Sequence, residues 1–163
     1  MSHPTFIALD FETADRHRDS ACSIGVVRVE GNRITARAHH FIRPPRATFE
    51  LTGIHGITWA RVAREPGFAE VWRKVAPLLE GAEFLAAHNA SFDRGVLEAC
   101  CAAAGIEPPP QRFECTVKLA RERWQIRPTN LPAVCERLGL TLRHHDALSD
   151  AEACAGIVIA SRR

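Results

Sequence analysis

The sequence has no tyrosine, a single methionine and only two lysines, Lys74 and Lys118, in 163 residues. The missing tyrosine closes every mechanism that needs a phenol as nucleophile, base or stacking platform. Long apolar runs are missing as well. Uninterrupted apolar stretches last only a few residues, whereas a bilayer-spanning helix needs about 20. The N-terminal stretch carries His3, Pro4 and then Asp10 rather than a basic start and an apolar run, so it does not read as a secretory signal. No C-x-x-C pair occurs among Cys22, Cys100, Cys101, Cys115, Cys135 and Cys154, which removes the usual zinc and dithiol motifs. Cys100 and Cys101 are neighbours in one predicted helix and cannot readily bridge each other. The six thiols are therefore read as reduced core fillers of a cytoplasmic protein. A strong charge imbalance is also lacking. Lys+Arg of 21 against Asp+Glu of 19 gives +2, too little to announce nucleic-acid binding, so any such role must be read from a site.

What is present fits one globular domain over residues 1–163, large enough to bury a sizeable core. A hydrophobic share of 46% beside 25% charged residues excludes a disordered chain. Thr5–Leu9, Cys22–Val29 and Ile34–Ile42 are rich in strand formers, and Gly31-Asn32 is a two-residue hairpin turn. The chain thus opens as a three-stranded antiparallel meander ended by Pro44-Pro45. Phe68, Val71, Trp72, Val75, Leu78 and Leu79 then recur at helical spacing, with Pro77 as a kink or stop. Phe84–Ala87 is a short strand, and Ser91 caps a helix that runs to Gly105. After the rigid Pro108-Pro109-Pro110 come a short strand, Phe113–Cys115, and a helix, Thr116–Trp124. Thr129 or Asn130 caps a helix ending at Gly139, and Asp146 opens a last one running to about Ser161. A meander followed by alternating helix and strand is an α/β layered domain with a mixed sheet.

Four acids fall on faces that should pack inward. Alternate strand residues share a face, so Asp10 and Glu12 project together, in line with Phe6 and Ala8. Asp93 shares a helical stripe with Val96, Leu97, Cys100 and Ala104. Asp150 shares one with Ala147, Ala151, Cys154 and Val158. A buried, unpaired carboxylate costs several kcal/mol or takes up a proton. Four separate Arg partners, or one shared cation site, would offset that cost. Oxygen ligands with few nitrogens suit magnesium or manganese rather than zinc. Each acid alone has an ordinary explanation, since Asp93 and Asp150 also complement the dipoles of their helices.

Taken together, these residues resemble the DEDDh exonucleases. Asp10-Phe11-Glu12-Thr13 is similar to their first motif, His88-Asn89-Ala90-Ser91-Phe92-Asp93 to their second, and His145-Asp146-Ala147-Leu148-Ser149-Asp150 to their third. Ile54-His55-Gly56-Ile57-Thr58 resembles a loop of the subgroup similar to the proofreading epsilon subunit of bacterial DNA polymerase III. The match covers nearly the whole chain and departs at neither the acids nor the histidine. A sister branch carries tyrosine in place of that histidine, and this chain has none to offer.

The resemblance implies a ribonuclease-H-like fold: a central five-stranded mixed sheet flanked by helices. It implies 3′→5′ exonuclease activity that releases nucleoside monophosphates with two divalent cations, Mg²⁺ or Mn²⁺. Two such ions about 3.5–4 Å apart clamp the attacking and leaving oxygens. Asp10 would bridge them, Glu12 and Asp150 would complete the site on the attacking side, and Asp93 would support the second ion. His145 would be the general base, since it leaves four residues before Asp150; its neighbour His144 would leave five. Phe11, Thr13, Ile54 and His55 would approach the terminal nucleotide, while His88, Asn89 and Phe92 are each open to a substrate or a packing role. Arg43, Arg46, Arg121, Arg123 and Arg127 are open to phosphate contact or a solvated surface. The expected partner is a nucleic-acid 3′ end, single-stranded DNA before RNA, with a DNA polymerase as a further partner and no membrane. An exoribonuclease of the ribonuclease T or oligoribonuclease type, and a non-catalytic module on the same fold, remain as alternatives. Two bound dications would turn the +2 into +6, so the apo charge understates what a phosphate chain would meet.

Overall fold

A computed structural model describes residues 2–163. Five strands form one sheet in the order β3-β2-β1-β4-β5: β1 Phe6–Thr13, β2 Ala21–Glu30, β3 Arg33–Phe41, β4 Phe84–Ala87 and β5 Arg112–Cys115. β1 pairs antiparallel with β2, which pairs antiparallel with β3, whereas β4 and β5 join in parallel. The mixed sheet and its opening meander agree with the sequence. The turn at Gly31 and Asn32 has φ of 54° and 66°, the left-handed pair that a tight hairpin needs.

β1 is the central strand and is buried on both faces. Ile7, Leu9 and Phe11 point to one side, into a core with α3 (Phe68–Val75) and α4 (Ala90–Ala104). Phe6 and Ala8 point to the other, against Ala151, Cys154, Ala155 and Val158 of α7 (Ala147–Ser161). Phe6 stacks on Phe84 of the neighbouring strand, with ring centroids 5.0 Å apart. α5 (Thr116–Trp124) and α6 (Leu131–Leu138) pack behind α7 through Ala120, Leu131, Val134 and Ile157. α7 is covered almost all round, which explains its run of small and branched residues.

Several boundaries differ from the sequence reading. β1 continues beyond Leu9 to Thr13, because its pairing with β2 carries it past the acids. The segment before α3, read only as a loop, contains two single-turn helices, α1 Thr52–His55 and α2 Trp59–Val62. They are too short for periodicity to reveal. Asn89, not Ser91, stands at the start of α4; it adopts φ 67° and makes no side-chain cap bond. Asn130 caps α6 by accepting from the Ala133 N–H, and Asp146 caps α7 by accepting from the Ser149 N–H. α3 passes into a 3₁₀ turn at Ala76–Leu79, where Pro77 interrupts the α-helical bonding. Ala104 is exposed; Cys101 takes its place in the core stripe of α4. All six cysteines are free thiols, five of them buried. Among the described residues, no helix is long and apolar enough to cross a membrane.

Candidate active site

The acids converge at the C-terminal end of β1. Ligand oxygens of Asp10, Glu12 and Asp150 lie within 4.8 Å of one another. Strand alternation puts the first two on the α7 side, and the first turn of α7 brings Asp150 to meet them. Asp93 arrives from α4 on the opposite side of the strand. It is 1% exposed, and its Oδ1 accepts the Phe11 N–H at 2.9 Å. This bond ties the second motif to the backbone of the first. α7 can approach so closely because Gly25, which pairs with Asp10, has no side chain. A Cβ there would lie 2.2 Å from the Ala147 carbonyl oxygen.

Among the described residues no Arg or Lys pairs with the cluster; the one basic partner is His144, beside Asp150. Burial, then Asp93, Glu12 and Asp150, push the Asp10 carboxyl well above its ordinary range. Burial, then Asp150 and Asp93, raise Glu12 to about 8. Burial raises Asp93 to about 8 against the Phe11 hydrogen bond that favours its charge. Burial also raises Asp150, although His144 and the His145 N–H oppose the shift. Asp10 is only half-buried as a residue, yet its Oδ2 is wholly buried and has no hydrogen-bond partner. A carboxylate oxygen left bare among three other acids is what a divalent cation would satisfy, and the all-oxygen donor set fits Mg²⁺ or Mn²⁺.

Asp150 is held by both histidines before α7. Its Oδ1 lies 3.3 Å from His144 Nδ1, and its Oδ2 accepts the His145 N–H at 3.2 Å. His145 has φ 66°, and this left-handed turn stacks the two adjacent imidazoles at 3.7 Å between centroids. Burial, together with His144, lowers the His145 pKa below its usual value, so its ring is neutral near pH 7. His145 lines a cavity of about 260 Å³ with Ile54, His55, Phe41 and Ser23. A larger cleft of about 560 Å³ between α4, β5 and α5 contains none of the four acids.

The residues expected to meet substrate divide. Among the described residues, Ile54 and Phe92 are the exposed large apolar side chains, at 54% and 37%. Asn89 is exposed. Phe11 is a correction: its ring is 2% exposed in the α4-side core, as strand alternation with Ile7 and Leu9 requires, so only its backbone reaches the site. His88 is another. Its Nε2 donates to the Thr129 carbonyl at 2.8 Å and its Nδ1 accepts from the Thr116 hydroxyl at 2.8 Å, which leaves no ring nitrogen for a substrate. Thr13 and His55 engage each other. His55 Nε2 donates to the Thr13 carbonyl at 2.8 Å, and its Nδ1 accepts the Ile57 N–H at 3.0 Å. The histidine thereby pins α1, with Ile54, beside the strand end.

One network was not legible in the sequence. Arg46 pairs with Asp15 and Asp19, holding the β1–β2 connection. The Ala14 carbonyl in that connection accepts the Glu50 and Leu51 N–H groups just before α1. Burial alone would raise Asp15, but hydrogen bonds from Arg46, His17 and Ser20 outweigh it and hold the carboxyl at about 2. Arg46 is therefore committed to this latch rather than to phosphate, and Arg121 is bonded to Thr129. A long-range Arg–Asp pairing carries no spacing signature in a chain.

Known proteins are similar to this chain in sequence and in fold. The family model described as exonuclease (RNase_T) matches residues 7–158. The DNA polymerase III epsilon subunit of Haemophilus influenzae is 32% identical over 171 residues, which cover 94% of this chain and 65% of that protein. A PolC-type DNA polymerase III of Bacillus cereus is 29% identical over 98% of this chain but only 11% of its own length. The chain thus spans less than two thirds of these relatives. The structure of exonuclease X in complex with 5′ overhanging duplex DNA superposes with a TM-score of 0.78 at 30% identity, covering 96% of this chain and 90% of that one. With its fold, its motif order and this family match, the chain belongs to the exonuclease family.

Proposed function

We propose that this protein is a metal-dependent 3′→5′ exonuclease that removes nucleoside 5′-monophosphates from DNA 3′ ends, as a proofreading or repair enzyme of the cytoplasm. The observation that carries this reading is the bare, buried Asp10 Oδ2 among Glu12, Asp93 and Asp150. Two divalent cations, when bound, supply charge to the attacking and leaving oxygens of the phosphodiester. Asp10 would hold both ions, Glu12 and Asp150 would complete the site on the attacking side, and Asp93 would support the other. His145, neutral near pH 7, takes the proton of the attacking water as general base. Ile54 and Phe92 offer apolar surface to the terminal nucleotide. The DNA-bound exonuclease X structure supports DNA over RNA, and the likeness to an epsilon subunit supports a DNA polymerase as partner.

The test uses 5′-labelled single-stranded DNA and RNA of matched sequence, with Mg²⁺, Mn²⁺ or chelator. A ladder shortened from the 3′ end, metal-dependent and faster on DNA, is expected. A faster RNA ladder would move the protein to the exoribonuclease branch. Binding without cleavage would make it a non-catalytic module.

A further inference from the structure

The connection between β1 and β2, residues 14–20, bridges the two elements that carry the exposed apolar side chains. On one side the Ala14 carbonyl accepts the Glu50 and Leu51 N–H groups before α1, which holds Ile54. On the other, the Arg18 carbonyl accepts from Cys100 Sγ of α4 at 3.8 Å. The Arg18 side chain then runs back along α4 until its guanidinium meets the Ser91 carbonyl, one residue before Phe92. The acids of the connection, Asp15 and Asp19, are taken up by Arg46, so Arg16, His17 and Arg18 are what it exposes. Gly95 is the seat for the Arg18 guanidinium. A Cβ at residue 95 would lie 2.7 Å from Arg18 Cζ and would overlap Nη1. Glycine is a poor helix former, yet α4 carries one in its second turn, where the seat needs it. The seated group has little to do within the protein. Its one hydrogen bond, to Ser91, is 3.5 Å long, and among the described residues no carboxylate pairs with it; the nearby Arg94 pairs with Glu98.

We infer that Arg18, seated on Gly95, grips the sugar-phosphate backbone of a single strand just 5′ of its terminal nucleotide. A guanidinium binds phosphate through a fork of N–H donors, and only one of those on Arg18 has a protein partner. Its place selects the phosphate. Ser91 and Gly95 lie on the outer side of α4, whereas Asp93 lies on the buried side that faces β1. Arg18 therefore stands outside the acid cluster. A terminal nucleotide resting on Ile54 and Phe92 leaves its own phosphodiester to the acids and its upstream phosphate to the connection that spans those two side chains. Seating the side chain in advance lowers the rotamer entropy that a long exposed arginine loses on binding. The direction of the strand rests on the function proposed above; a phosphate contact by Arg18 does not.

The test follows binding of 5′-labelled single-stranded DNA by fluorescence anisotropy over a range of salt, in chelator so that no strand is cut. Arg18→Ala is expected to bind more weakly, with a plot of log K against log salt shallower by about 0.7, the share of one single-strand phosphate contact. Gly95→Ala is expected to do the same with the net charge unchanged, because the new methyl unseats the guanidinium. Arg33→Ala removes an equal charge from the hairpin at the far end of β2 and β3 and is expected to keep the wild-type affinity and slope. Wild-type affinity and slope in Arg18→Ala would overturn the contact, as would an equal loss in Arg33→Ala, which reduces the effect to overall charge. Wild-type binding in Gly95→Ala beside a weakened Arg18→Ala would overturn the seat. A deoxynucleoside 5′-monophosphate has no upstream phosphate, so in Mg²⁺ it should bind wild type and Arg18→Ala alike; a weaker hold in the variant would overturn the upstream assignment. If wild type with Mg²⁺ digests no DNA, the proposed function fails, while the slopes still decide the contact.

Discussion

At the scale of single residues, the site was legible wherever a residue contradicted its own surroundings. Asp93 and Asp150 stood out as acids on apolar helical stripes, and both are buried. The same periodicity could have placed Phe11 inward, because it alternates with Ile7 and Leu9. Nothing in the sequence showed that both ring nitrogens of His88 are spent on Thr116 and Thr129, which are 28 and 41 residues away. Spacing separated His145 from His144, but not the left-handed turn that stacks them. If His145 is the general base, His145→Ala should lower the single-turnover rate by about 10²–10⁴-fold. His144→Ala, which frees one oxygen of Asp150, should lower it less. The reverse pattern, measured by quenched flow, would move the base to His144.

At the scale of elements, the order of strands and long helices followed from turn residues, caps and periodicity. α1 and α2 did not, because four residues make too little of a turn to repeat a pattern. The approach of α7 to β2 was also hidden, since it depends on an absent side chain at Gly25. That contact sets where Asp150 meets Asp10. A methyl at residue 25 must push the start of α7 away or displace β2. Gly25→Ala should therefore cost about 1–3 kcal/mol in denaturant unfolding and also slow nucleotide release. Wild-type stability and rate in that variant would show that the close approach positions nothing.

At the scale of the whole molecule, the fold holds an electrostatic conflict that metal should resolve. Glu12 and Asp93 titrate at about 8 in the folded chain against about 4 when unfolded. Between those values the folded state binds more protons than the unfolded one, so stability falls as pH rises. Asp15, held at about 2, acts oppositely: its contribution is present above about 4 and is lost as pH falls toward 2. Melting temperatures in chelator should thus decline from pH 5 to pH 9, and the gain on adding Mg²⁺ should grow over the same range. A flat profile in chelator, or a constant Mg²⁺ gain, would count against the shared site. The most direct measurement compares Asp10→Asn with wild type at pH 8, by melting in chelator and by mononucleotide release in Mn²⁺. The substituted amide would carry no charge into the cluster, so the variant should melt higher than wild type and release no nucleotide. Release at the wild-type rate would contradict the claim that Asp10 holds the metal on which the chemistry depends.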